Sequence, residues 1–272
     1  MQGNEKFLGR VASYAHKHAL WREGERILAA VSGGPDSLAL LLALKLLAVK
    51  EKINIGCCCV NHHLRAAAGK EAEFVESVCR EWNIPFILKE VNVQSAVRNG
   101  GSIETAARDL RYKALREAAR GGGYAKIAVA HHGDDQAETV LYHLLRGSGV
   151  TGLSGMKPIN GDIIRPFLCV SKNEIKDFLK DFSYVPCHDE SNDVEDAVRN
   201  RIRLSLVPEL ISYNPRVTES LRRTADIFRE EDLFMEEKAD VFISSCVEHD
   251  NDKCVFFIAY FLALHIALQR RV

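Results

Sequence analysis

The hexapeptide Ser32-Gly33-Gly34-Pro35-Asp36-Ser37 does most to limit how this chain can fold. It stands between a short apolar run, residues 27–31, and a leucine-rich stretch, residues 38–47, that contains no Gly or Pro. That order predicts a strand, a tight glycine turn and the start of a helix, from which a phosphate site can be built out of backbone alone. Glycines let the main chain approach an anion closely, and the first free N–H groups of the helix, at its positive dipole end, then face that anion. Ser32 and Ser37 add hydroxyl donors, and Asp36 supplies a carboxylate suited to a magnesium ion bridging phosphates. The same residues also favour plain surface turns; the flanking strand and helix signals favour the phosphate cradle. Gly-Lys-Ser/Thr is missing from the loop, so a nucleotide site is expected but ordinary γ-phosphoryl transfer is not.

Alternation extends this reading. An amphipathic helix is expected over residues 5–20, strands at 27–31, 53–60, 86–91 and 127–130, and helices at 37–50, 69–82 and 102–120. Strands alternating with helices predict an α/β fold, a doubly wound parallel sheet with ligands at the carboxyl ends of its strands. After about residue 160 the strand signals fade. A helix is expected at 171–182, an irregular polar segment at 187–193, and helix again from Glu195. Tyr213-Asn214-Pro215 reads as a boundary, giving a nucleotide-binding catalytic domain at 1–212 and a small helical domain at 213–272. The last residues, Gln269-Arg270-Arg271-Val272, read as helix, so that second domain is expected to be truncated.

A chain of 272 residues with 47% hydrophobic residues can bury a substantial core. Residues 1–20 are too polar for a secretory signal, and the apolar run at 255–268 is too short and mixed to span a bilayer, so no membrane partner is expected. The eight cysteines show no paired metal spacing; Cys57, Cys58 and Cys59 lie in an expected strand and read as core residues of a cytoplasmic protein. A net charge of −1 argues against a generally basic nucleic-acid binder. Arginines nevertheless cluster at Arg108, Arg111, Arg116 and Arg120, and at Arg199, Arg201 and Arg203. Such clusters suit solvated helix faces or a polyanionic partner.

A second constellation, His131-His132-Gly133-Asp134-Asp135-Gln136-Ala137-Glu138-Thr139, follows the strand expected at 127–130 and opens a helix. Asp134 on its own is well suited to be that helix's N-cap. On a helix, Asp134 and Glu138 share a face, as do Asp135 and Thr139. Clustered carboxylates suit magnesium or a cationic amine, and imidazoles beside them suit ligand binding or proton movement near neutral pH. A third group, Asn61-His62-His63-Leu64-Arg65, ends the second expected strand. A lone histidine there would suit a structural role, but adjacent His, His and Arg facing the glycine loop are expected to contact the nucleotide. Glu104 and Arg108 are spaced as a helical ion pair, ahead of Arg111 and Tyr112.

The Ser-Gly-Gly-x-Asp-Ser loop resembles that of the N-type ATP pyrophosphatases. The ordered set across residues 25–205 is similar to the tRNA(Ile)-lysidine synthase family within that group. Besides the loop it comprises Asn-His-His-Leu-Arg, Glu104 through Tyr112, the His-His-Gly-Asp-Asp segment, Arg146-Gly-Ser-Gly, Arg165-Pro-Phe-Leu, Asp189-Glu-Ser-Asn and Arg199-Asn200. The resemblance implies that ATP and Mg2+ bind at Ser32, Gly33, Gly34, Pro35, Asp36 and Ser37, with Asp36 as metal ligand and His62 at the nucleotide. It implies adenylation of the C2 oxygen of a wobble cytidine in a CAU anticodon, then attack by the ε-amine of free lysine. Asp134, Asp135 and Glu138 are the residues expected to hold lysine, and Asp36, His132, Asp135 and Arg111 those expected to act in catalysis. Arg65, Arg108, Arg146, Arg199 and Arg203 are expected to contact tRNA; Arg108, Arg111 and Arg203 also suit phosphate or the AMP leaving group. A homodimer is compatible with this reading. Another adenylating enzyme with the same loop, a tRNA thiolase or an amide-forming synthetase, is the alternative. The chain lacks the Cys-x-x-Cys pair often carried by related thiolases and has no room for an amidotransferase domain. A non-catalytic nucleotide binder would have no need for the acidic and histidine cluster.

Overall fold

The computed structural model describes residues 2–62, 68–92, 103–182, 197–250 and 253–272. Six strands form one sheet: β1 (Arg26–Ala30), β2 (Asn54–Asn61), β3 (Phe86–Glu90), β4 (Lys126–Ala128), β5 (Ile159–Asn160) and β6 (Ile163–Ile164). Their spatial order is β3-β2-β1-β4-β6-β5, all parallel except the antiparallel edge pair β5–β6. The chain runs outward from β1 through β2 to β3, then crosses back to place β4 on the other side of β1. The carboxyl ends of β1 and β4 therefore flank a topological switch point, where doubly wound sheets bind ligands.

The sheet separates two apolar cores, and strand alternation assigns residues to each. Ile27, Ala29 and Val31 face one side with Cys57 and Ala128; Leu28, Cys58 and Ile127 face the other. On the first side lie α1 (Gln2–Lys17), α2 (Pro35–Glu51) and α3 (Ala68–Glu81), joined by α7 (Lys172–Lys180). Phe7 of α1 stacks on Phe178 of α7 at 4.4 Å and meets Phe167 edge-on at 5.5 Å. Residues 38–44 of α2 are all buried, which accounts for a helix apolar on every side. The opposite face is covered by α4 (Ile103–Gly122), through Leu115, Ala118 and Ala119.

The helix α5 (Gly133–Leu145) follows β4, and the single turn α6 (Val150–Leu153) follows α5. Beyond α7 come α8 (Ala197–Arg201), a π-helical turn (Ile202–Leu206), α9 (Val207–Tyr213) and the 30-residue α10 (Val217–Cys246). Asn214 caps α9, and Pro215 lies between α9 and α10. α10 lies against the α/β body. Arg222 donates to the Cys169 carbonyl at 2.9 Å, Arg229 to the Ser154 and Met156 carbonyls at 3.2 Å, and Thr151 to Asp232 at 2.7 Å.

Two expectations need correction. The residues after 213 are not helical throughout: β7 (Val247–Asp250) and β8 (Lys253–Phe256) form an antiparallel pair before the short helices α11 (Ile258–Leu262) and α12 (Ile266–Gln269). Asp250-Asn251-Asp252 is a turn signal that the apolar run beginning at Val255 masked. The helix expected at 171–182 is Lys172–Lys180, with Ser171 outside it as N-cap, accepting from the Glu174 N–H. The polar segment at 187–193, with Asp189, Ser191 and Asn192, lies outside the described residues, as do His63 and Arg65. Cys57, Cys58 and Cys59 are buried, and burial pushes the Cys58 and Cys59 thiols up to about 12, so both stay protonated and behave as small apolar side chains. Among the described residues no helix is long and apolar enough to cross a membrane.

Candidate active site

The glycine loop leaves β1 directly into α2. Gly33 sits at φ +89°, a conformation L side chains rarely adopt. Gly34 is the N-cap of α2 and provides no side-chain cap, so the first-turn N–H groups stay open at the positive end of the helix. Pro35 occupies the first turn, where its missing N–H costs nothing. The Ser37 hydroxyl donates to the Gly34 carbonyl at 3.0 Å and accepts from the Ser32 N–H at 3.2 Å, which ties the loop into a ring.

Across the switch point, β4 leads through His131 into α5. The N-cap of α5 is His132, not Asp134: His132 Nδ1 accepts the Asp135 N–H at 3.4 Å, and Asp135 Oδ2 accepts the His132 N–H at 2.9 Å. With Nδ1 accepting, the proton of the neutral ring belongs on Nε2, which faces Asp36 Oδ2 at 3.7 Å. This contact joins the phosphate loop to the acidic cluster. Burial lowers the His132 pKa, but Asp135, Asp36 and Asp134 together outweigh it and the net shift is upward. Asp36 shifts down: burial raises it, and His132, Lys172 and Arg203 outweigh the burial.

The remaining carboxylates are committed to different partners. Asp134 Oδ2 accepts the backbone N–H of Lys172 at 2.7 Å, stitching α5 to the start of α7. Glu138 is held by both ends of the Arg203 fork, at 2.8 and 2.9 Å, and Arg203 Nη2 reaches Asp135 Oδ1 at 3.4 Å. Burial lifts the Glu138 pKa despite this pairing. Arg199 donates to the Thr139 hydroxyl at 3.1 Å. Arg199 of α8 and Arg203 of the π-helical turn thus pack against α5, the first on a hydroxyl and the second on a carboxylate.

Arg108 and Arg111 flank the Tyr112 ring, with their guanidinium carbons 5.4 and 5.6 Å from its centroid. Arg111 bears electrostatically on His62, whose pKa is lowered by burial and by that cation and whose Nδ1 is buried without a partner. His131 is also held neutral, pushed down to about 3: burial dominates, Asp135 opposes it, and Arg165, Arg111 and Arg108 add to it. Arg146 lies elsewhere, at the far end of α5 beside Tyr142, about 20 Å along the helix from His132. Contacts thus link Asp36, His132, Asp134, Asp135, Glu138 and Arg203 into one cluster, with Arg199 beside it on Thr139. Arg108 and Arg111 bear electrostatically on His131, Arg111 also on His62, and Arg146 lies apart.

Gln136 and Arg165 were not singled out as functional by sequence reasoning. Gln136, 1% exposed, holds the Met156 N–H at 2.7 Å and the Ser154 and Met156 carbonyls at 3.3 and 3.2 Å. Its only sequence signal was a place inside the His-His-Gly-Asp-Asp segment.

A glycine loop after the first strand and a histidine–carboxylate cap after the fourth, set on either side of the switch point, define a nucleotide-binding domain of the adenine nucleotide α-hydrolase-like class. Residues 5–210 match the PP-loop domain, and the chain belongs to that family. It is 37% identical over 266 residues to a tRNA(Ile)-lysidine synthase of Caldanaerobacter subterraneus, which covers 97% of this chain and 57% of that one. It is 36% identical over 251 residues to the tRNA(Ile)-lysidine synthase of Thermotoga maritima, 92% of this chain and 61% of that one. The chain therefore spans about three fifths of the length of these relatives. In fold it is similar to the U34-tRNA thiolase NcsA of Methanococcus maripaludis, with a TM-score of 0.64 at 16% identity over 84% of this chain and 80% of that one.

Proposed function

We propose that this chain carries the ATP-using part of a tRNA-modifying ligase that converts the wobble cytidine of a CAU-anticodon tRNA(Ile) to lysidine, releasing AMP and pyrophosphate. The observation that carries the reading is the approach of His132 Nε2 to Asp36 Oδ2 at 3.7 Å. It brings a phosphate-binding loop and an acidic cleft into one site, as joining a nucleotide to a cationic amine requires. Relatives named tRNA(Ile)-lysidine synthase, similar over more than nine tenths of this chain, support the same choice.

In this reading the open N–H groups of α2 bind the ATP phosphates. The cytidine C2 oxygen attacks the α-phosphorus and pyrophosphate departs, which turns a poor leaving group into an AMP ester. The lysine ε-amine then adds at C2, loses its proton and displaces AMP. Asp135, Glu138 and Asp134 give the cleft its negative potential for lysine, and Arg111 with Arg108 suits the phosphate of the adenylate. His132 orients Asp36 and Asp135. Lysine, the CAU tRNA and a homodimer are the partners of this reading.

Asp36 fits a magnesium ion, because its Oδ1 is buried with no protein partner in a first helical turn. Magnesium bound there would neutralise phosphate charge.

The test is incorporation of labelled lysine into a CAU-anticodon tRNA(Ile) transcript with ATP and magnesium, using the methionine tRNA as control. Labelling of the isoleucine tRNA alone, with AMP formed in step, is expected. Labelling of both tRNAs alike would refute the substrate assignment, and pyrophosphate release without any tRNA would favour a small-molecule adenylating enzyme.

A further inference from the structure

Two arginines are each only 6% exposed, and they differ in one respect. Arg229 has a carboxylate partner, Asp226 at 2.7 Å, besides two carbonyls. Arg165 has none among the described residues. Its backbone N–H donates to the Pro158 carbonyl at 2.9 Å and its Nη1 to the Lys157 carbonyl at 2.8 Å, while Nε is buried with no partner. A buried guanidinium without a counter-ion is costly, and folded proteins seldom keep one unless an anion arrives to meet it.

Position narrows what that anion is. Arg165 follows β6 at its carboxyl end, one strand from β4, and Val129, the residue just past that neighbouring strand, donates to the Ile164 carbonyl at 3.0 Å. It therefore stands at the end of the sheet where His131 and the Asp36–His132 pair lie. The polar groups that bear on Arg165 are Tyr112, whose hydroxyl interacts with it, Arg108 and Tyr14; burial and Arg108 lower its pKa and outweigh the two tyrosines. Tyr112 is the ring flanked by Arg108 and Arg111. Three arginines thus share one tyrosine, and none of them has an ion-pair partner among the described residues.

We propose that Arg165 is the buried cation of a phosphate-binding wall whose accessible face is Arg108 and Arg111. The shared ligand chemistry is a phosphate ester, from ATP or from the RNA backbone. Only the choice of these two probes rests on the function proposed above. Because Arg165 is buried, its contribution resists screening, whereas that of an exposed arginine fades with salt.

The experiment compares wild type with Arg165→Met and Arg165→Lys. ATP and a CAU anticodon stem-loop RNA are titrated separately at low and high salt, and the Tm of each unliganded protein is recorded. Arg165→Met is expected to weaken one probe by about tenfold or more at both salt concentrations, with Arg165→Lys recovering most of the loss. Weakened ATP binding assigns the wall to the nucleotide, and weakened RNA binding assigns it to the backbone. The unliganded Arg165→Met protein is expected to melt no lower than wild type, since it has lost an uncompensated charge. Unchanged binding of both probes overturns the proposal, and so does a protein that unfolds or melts well below wild type, because the guanidinium would then be a structural support. None of these readings needs lysine transfer, so failure of the ligase assay leaves them intact.

Discussion

Arg203 holds Glu138 through both carboxylate oxygens and reaches Asp135 with the same nitrogen that binds Glu138 Oε2. One guanidinium from the chain beyond α8 thereby fixes two side chains of α5. Replacing Arg203 with Met leaves a buried carboxylate unpaired and is expected to cost about 3 kcal/mol, read as a lower denaturant midpoint. Glu138→Gln keeps a hydrogen-bond acceptor and is expected to cost about 1 kcal/mol. Equal costs for the two would show that the fork contributes nothing beyond a single contact.

The pairing of Asp36 with His132 sets a pH window. Asp36 titrates below its unfolded value of 3.8, so its contribution to stability is complete above that value and is lost as pH falls through the lower folded pKa. His132 titrates above its unfolded value of 6.5, so its contribution is complete below 6.5 and is lost as pH rises through the higher folded pKa. An imidazole titration followed by NMR is expected to place the His132 midpoint above 6.5 in wild type and lower in Asp36→Asn. A midpoint indifferent to that substitution would separate the two residues electrostatically.

Gly33 is required for its conformation and not for its size. A Cβ there would lie 3.5 Å from Glu71 Cβ, an ordinary contact, but at φ +89°. Gly33→Ala is expected to cost about 1–2 kcal/mol in stability and to weaken ATP binding further by bending the loop away from α2. Comparing the change in Tm with the change in ATP affinity separates the two effects.

Gly155 combines both demands. It sits at φ +63°, and a Cβ would lie 2.8 Å from the Gln136 amide. Gly155→Ala is expected to lose about 3 kcal/mol. Adding Gln136→Ala should remove the clash but not the strain, so the double variant is expected to lose less than the sum of the singles. Strict additivity would mean that the two residues do not meet.

The sequence made the inner strands legible because parallel strands buried on both faces read as apolar runs. Residues 27–31 and 53–60 fall within a residue of β1 and β2, while the edge strand β3, only half-buried, was marked by the shorter apolar start of 86–91. β5 and β6 escaped notice because each has two residues, too few for a periodic signal. The site was legible as a set of residues and illegible as a set of pairings. Helical spacing put Asp134 and Glu138 on one face, yet Asp134 binds a backbone group 38 residues away and Glu138 a guanidinium 65 residues away. Arg165 was visible only as part of an Arg-Pro pair, because its lack of a carboxylate partner among the described residues is a property of the fold.

The helix α10 lends its side chains to carbonyls of the sheet-bearing body: Arg222 to Cys169, Arg229 to Ser154 and Met156. Gln136, beside the histidine–carboxylate cluster, grips those last two carbonyls as well. A protease nick at Asn214-Pro215 would therefore sever the polypeptide without parting the molecule. The two fragments would travel together, fastened by the same oxygen atoms that tie α5 to the chain at Ser154 and Met156.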